Sequence, residues 1–200
     1  MINITNKTSK IDDIFKPIVN DIVTKKSIDY SESFNIKDLP DNDGFRIHPN
    51  TLPEFDCLYR PLDKKNKDCL YWFELESIEK AIELNNILNT YRLSNKKGNV
   101  DYRNIPATNK NETSNVLYVG IRRKSKANKP RITSIVGRIN QHLGYYKNQN
   151  TQGLQLIHFA KNCDFKVTLN VVEIISENDI YLNIIEKKVA DKLKPLCGRH

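Results

Sequence analysis

The sequence predicts an α+β fold: a small three-stranded sheet of antiparallel type, flanked by helices. Three features predict it. CLYWFELE (Cys69–Glu76) is apolar and aromatic with little polar alternation, the pattern of a buried strand. FKVTLNVVEI, which begins at Phe165, alternates through Val171 with the period of a strand. Around these runs apolar residues recur at helical spacing, so the strands are interleaved with helices that can cover them.

Residues 1–67 read as an N-terminal extension packed on the core. Within it IDDIFKPIVNDIVTKK predicts an amphipathic helix with Pro17 near its first turns. The turn-rich run KDLPDNDGFRIHPNTLPEFD follows as a long connection. CLYRPL (Cys57–Leu62) is a second candidate for the first strand, weakened by Pro61, which cannot donate to a ladder. The main domain spans 68–200 and carries an insertion, 77–115, between its first two strands. That insertion opens with a helix over SIEKAIELNNILNTYRL, capped by Ser77, and continues as the polar SNKKGNVDYRNIPATNKNETSN, read as a surface loop or flexible insertion.

The next strand lies in SNVLYVGIRRKSKANKPR (Ser114–Arg131). ITSIVGRINQHLGYY then predicts a helix on the stripe Ile132, Ile135, Val136, Ile139 and Leu143. LQLIHFAK (Leu154–Lys161) reads as a second short helix. SENDIYLNIIEKKVADKLKP closes the domain as a helix started by Ser176 or Asn178 and ended before Pro195.

Composition narrows the function. The chain is 38% hydrophobic and 28% charged, enough apolar content for a core and against wholesale disorder. Its formal net charge of +8 favours a polyanionic partner, nucleic acid first, although a coding bias that also enriches Asn and Ile accounts for part of the lysine excess. Cys57, Cys69, Cys163 and Cys197 are scattered, with no CxxC pair and no zinc-ligand spacing, so free thiols in a reducing cytosol are expected. There is no apolar signal-like segment at the N-terminus and no apolar run of about 18 residues. The expectation is a cytoplasmic protein without a membrane partner, its oligomeric state left open.

Polar residues that interrupt these patterns are the candidates for chemistry. Glu186 lies on the edge of the last helix's stripe, Leu182, Ile185, Val189 and Leu193, where a carboxylate is partly desolvated unless it is paired or binds a metal. Its plainer reading is a rim glutamate whose stem packs while its head reaches water. Arg138 and His142, four residues apart, share one side of their helix and border its apolar stripe. Tyr71 and Tyr118 fall in the first two strands. Arg122, Arg123, Lys124, Lys126, Lys129 and Arg131 crowd the loop after Tyr118 and Gly120 with no acid among them, which suits contact with phosphates.

Taken together, these residues resemble the GIY-YIG nuclease family, over about residues 68–199. Tyr118-Val119-Gly120 is similar to the YIG element, and Cys69-Leu70-Tyr71 to the GIY strand. Arg138 falls where the family keeps a catalytic arginine, His142 where restriction-type members hold His or Tyr, and Glu186 at the metal-binding glutamate. The sequence departs from the pattern at Cys69, in place of the first glycine, in the length of the insertion, and at Gly198, where the family's closing segment has asparagine.

The resemblance implies a stand-alone, restriction-type endonuclease acting on DNA. In it, Mg²⁺ or Mn²⁺ is held by Glu186, Arg138 stabilises the transition state, and a phenol, Tyr118 or Tyr71, handles the attacking water. Two other readings stay open. One is a nucleic-acid-binding module with a decayed site, suggested by Cys69 and Gly198. The other is an interaction protein whose charge reflects coding bias alone.

Overall fold

Strand β2 (Asp68–Leu75) is buried on both sides, as its unbroken apolar run requires, because it lies between two other strands. A computed structural model of the chain describes residues 5–41, 52–99, 101–125, 134–145, 151–176 and 178–198. In it β1 (Tyr30–Asn35), β2, β3 (Val116–Arg122) and β4 (Lys166–Ile174) form one antiparallel sheet in the order β1-β4-β2-β3. The fold is α+β, but the sheet has four strands rather than the three expected, and the additional strand comes from residues 1–67.

β1 escapes a reading by pattern because its run, YSESFN, is half polar. Its serines bond across the ladder instead of filling a core, Ser31 to Asn170 at 2.9 Å and Ser33 to Thr168 at 2.8 Å.

Alternation along β2 sorts the molecule into layers. Leu70 and Trp72 face a cluster shared with Phe15, Val19 and Ile22 of α1 (Thr5–Val23) and Ile185, Val189 and Ala190 of α5 (Asp179–Leu193). Cys69, Tyr71, Phe73 and Leu75 face the larger cluster, which includes α2 (Asp56–Asp63), α3 (Ile78–Ser94) and α4 (Ser134–Leu143). Such a three-layer arrangement buries both faces of the sheet.

Local signals explain most boundaries. The Ser77 hydroxyl accepts from the Lys80 amide at 3.2 Å and starts α3. Asn178 does the same for Ile180 at 2.9 Å and starts α5, which ends with Lys194 in the left-handed region ahead of Pro195. Three expectations change. Pro17 sits well inside α1, because that helix begins at Thr5. CLYRPL is not a strand but most of α2, with Leu58, Tyr59 and Leu62 buried at helical spacing. LQLIHFAK gives only a 3-10 turn, Leu156–His158, entered through Gln155 in the left-handed region at φ 61°. Ile132 lies outside the described residues.

Among its described residues the polar part of the insertion forms no helix or strand, yet it is anchored. Ile105 and Arg103 are buried, and the segment bonds to the chain beyond α5: the Asn109 amide to Leu196 O at 2.7 Å and the Gly198 amide to Ala107 O at 2.9 Å. That same stretch covers the outer edge of β3 at its start, through Leu196 N to Val116 O at 2.9 Å and Cys197 N to Leu117 O at 3.0 Å, and leaves the end near Ile121 open to other groups. All four cysteines are free thiols. Among the described residues no helix is long and apolar enough to cross a membrane.

Candidate active site

The pairing of β2 with β3 sets Tyr71 opposite Gly120 and Phe73 opposite Tyr118, so both tyrosines project from the face that α4 covers. Beyond Tyr118 the register slips by one residue, a bulge that accommodates Leu117. The glycine is needed sterically. A Cβ at 120 would stand 2.7 Å from the Tyr71 Oη and 2.7 Å from Tyr118 Cε1. The two rings stack with centroids 6.3 Å apart, and His142 meets Tyr118 at 4.7 Å and the edge of Tyr71 at 5.4 Å.

α4 brings Arg138 and His142 onto these phenols, one turn apart on one side of the helix. Arg138 donates from Nε to Tyr71 Oη at 2.8 Å and from Nη2 to Tyr118 Oη at 3.3 Å. Its Nη1 serves the Gln141 side-chain oxygen at 2.7 Å and the Gln152 carbonyl at 2.5 Å. Every one of these acceptors is neutral. Among the described residues Arg138 belongs to no ion pair, so a half-buried cation lacks a counter-charge in contact.

His142 is fully buried, and its tautomer follows from its neighbours. The Leu154 amide donates to Nδ1 at 3.2 Å, so the ring proton is on Nε2, which donates to Tyr71 Oη at 2.9 Å. Burial, reinforced by Arg138, holds the imidazole well below its usual pKa and therefore neutral. Tyr71 thus accepts two hydrogen bonds while having no exposed surface. Burial pushes its phenol well above the ordinary value, and Arg138 works against that rise. Tyr118 is shifted the same way by burial, again opposed by Arg138, but keeps some exposed surface.

Glu186 comes from α5, on the other side of the sheet, and reaches the free edge of β3, where the Ile121 amide hydrogen-bonds it. It is half-buried. Burial raises its pKa, while Arg138 and then Arg123 pull the other way. The carboxylate therefore lies within the field of the arginine that both phenols share. Among the described residues no group of three or more His, Cys, Asp or Glu side chains gathers, and the carboxylate beside Arg138 that could hold a cation is Glu186. A lone carboxylate suits Mg²⁺, which keeps several waters and completes its shell with phosphate oxygens, and does not suit a closed site such as that of zinc.

In the basic loop Arg122, Arg123 and Lys124 are exposed, while Lys126, Lys129 and Arg131 lie outside the described residues. Arg123 is not a bare cation. It pairs with Asp179 at 3.4 Å and donates to Asn183 at 3.2 Å, both on α5. Gly198 is buried at φ +109°, a conformation that disfavours any side chain, so no amide replaces the expected asparagine there.

Two contributors escape the sequence reading. Gln141 is three residues from Arg138 and is buried at the end of the stripe, a polar interruption as readable as Glu186. The segment 151–155 offers no signal, because it contributes backbone groups: the carbonyls of Thr151 and Gln152 and the amide of Leu154. Comparison of the chain with protein-family models, curated proteins and solved structures finds no match to any of them.

Proposed function

We propose that this chain is a divalent-metal-dependent DNA endonuclease with a site of the GIY-YIG type, possessing Tyr71, Tyr118, Gly120, Arg138, His142 and Glu186 as its working set. The observation that carries the reading is Arg138, a half-buried guanidinium whose four protein acceptors are all neutral. A phosphodiester supplies the missing anion, and Nη2, which gives one proton to Tyr118, has a second to offer it. The exposed Arg122 and Lys124 extend that positive surface along a nucleic-acid backbone.

Of the two phenols we assign Tyr118 to the attacking water, because it alone keeps exposed surface. Its proton loss is opposed by burial and assisted by Arg138. Tyr71 acts as a buried anchor on which Arg138 and His142 both converge. Tyr118 first loses its proton to solvent. Water then attacks phosphorus and passes a proton to the phenolate oxygen. The bond to the leaving oxygen breaks, that oxygen taking a proton from solvent, while Arg138 holds the negative charge that develops on the phosphate. Mg²⁺ or Mn²⁺ held by Glu186 supplies further charge at the phosphate.

A plasmid-nicking assay with Mg²⁺, Mn²⁺ or chelator tests the reading. Cleavage is expected only with metal, and Glu186→Gln should abolish it while leaving DNA binding; cleavage that survives Glu186→Gln refutes the assignment. Gly198 favours a second reading, a phosphate-binding pocket that no longer hydrolyses. That reading requires salt-sensitive DNA binding and no nicking with either metal.

A further inference from the structure

We infer that Arg103 in the insertion is a positioning residue for Arg138, acting through Gln155 and Gln141. The inference rests on the reading of Arg138 as the phosphate-facing group, and it gives the insertion a part in the site.

The chain of contacts is continuous and mostly buried. Arg103 and Gln155 are 8% and 1% exposed, and Arg103 Nη1 donates to the Gln155 side-chain oxygen at 3.0 Å. Gln155 Nε2 donates to the backbone oxygen of Gln141 at 2.9 Å, and the side chain of Gln141 takes one Nη1 proton of Arg138 at 2.7 Å. A second strand of the same support runs in parallel. The Gly153 amide donates to Asn104 O at 3.0 Å, and Gln141 Nε2 donates to Thr151 O at 2.8 Å. Gly153 lies so close to α4 that a Cβ there would meet Gln141 O at 2.9 Å.

The insertion therefore clamps residues 151–155 onto the end of α4. From that clamp the Gln152 carbonyl takes the other Nη1 proton. A guanidinium is planar, so fixing its Nη1 corner fixes where Nε and Nη2 point. Neutral amides suit this duty. They hold the group without cancelling the charge that the phenols and a phosphate require, whereas a carboxylate at 141 would cancel it.

The test uses the full chain and three variants: Arg103→Ala, Gln155→Asn, which keeps a residue tolerant of the left-handed backbone, and Gln141→Glu. The first readout is the side-chain nitrogen NMR signal of Arg138, assigned by its loss in Arg138→Lys. In the unaltered protein its Nη protons should give separate lines. In Arg103→Ala and Gln155→Asn they should merge as the group begins to turn. The second readout is cleavage, expected to fall by about a hundredfold in each of the three variants, the scale of a misaimed group. An Arg138 signal unchanged in both Arg103→Ala and Gln155→Asn overturns the inference, even if activity is lost. If the unaltered protein never cuts DNA, the endonuclease reading fails, while the NMR comparison still decides the relay. Should Arg103→Ala fail to fold, Gln155→Asn carries the same comparison.

Discussion

The hydrogen bond between His142 Nε2 and Tyr71 Oη, 2.9 Å long, has its direction set from the far side of the imidazole, where the Leu154 amide occupies Nδ1. Tyr71 consequently stands between two donors, and removing its hydroxyl strands both. Tyr71→Phe should cost about 1–3 kcal/mol for the buried groups left unpaired, read as a lower urea midpoint. Tyr118→Phe should cost less, because its bond from Arg138 Nη2 is long, 3.3 Å, and the side chain keeps some exposed surface. Tyr118→Phe should also abolish a rise of cleavage rate with pH, the signature of a phenol that must lose its proton before it acts.

His142 makes stability depend on pH. The folded protein keeps the ring neutral far below the ordinary value of 6.5, whereas the unfolded chain takes up a proton there. Below that value the unfolded state binds more protons, so its stability contribution is full above pH 6.5 and is lost as pH falls. The slope approaches about 1.4 kcal/mol per pH unit for one such group. Denaturant titrations from about pH 7.5 to about pH 5, the window around the ordinary histidine value, should show this slope, and His142→Asn should lack it.

Glu186 gives the opposite dependence. Burial raises its pKa above the ordinary 4.5, so folding favours the protonated form, and its penalty grows as pH rises from that value through the folded one. Glu186→Gln should therefore melt at a higher temperature than the unaltered protein at pH 7 in chelator, with the gap closing toward pH 4. Equal melting temperatures across that range would remove the claim of strain at this carboxylate.

Gly120→Ala tests the close approach of the strands. With a Cβ 2.7 Å from the Tyr71 hydroxyl, one ring must shift, at a cost of about 1–3 kcal/mol. Cleavage should fall further than the loss of stability explains, because the shifted ring carries Arg138 with it.

Arg138→Lys keeps the charge and loses the fork. An ammonium offers three protons at one point and cannot span two phenols, an amide and a carbonyl. Cleavage should drop by about a hundredfold or more, with DNA affinity in chelator reduced much less.

The regular elements were legible where one period dominated. β2, β3, β4, α3, α4 and α5 all carry apolar residues at their own spacing, and Ser77 and Asn178 mark two starts by a side-chain bond. β1 was hidden because its serines bond to Asn170 and Thr168 across the ladder instead of filling a core. α2 was obscured by Pro61, whose lack of an amide proton speaks against a strand but is tolerated in this short helix. In the site, Arg138, His142 and Glu186 could be picked out from the sequence because each borders an apolar stripe, whereas Tyr71 and Tyr118 sit unremarkably in strands and were candidates only through the family resemblance. The aim of these side chains was not legible. It depends on backbone groups at 151–154 and on the insertion, and neither leaves a mark in residue type.

The place of β4 between β1 and β2 has a consequence for how the chain folds. Ser31 meets Asn170 across 139 positions of sequence, and β2 rests on β4 along its whole length, from Asp68 beside Ile174 to Leu75 beside Val167. Such pairings demand that long loops close before any ladder energy returns, which puts this topology among slow folders. Until β4 arrives, Tyr71 lacks Val171, its neighbour across the ladder. The cluster is thus a property of the completed sheet, and an early folding intermediate that lacks this strand has no assembled site.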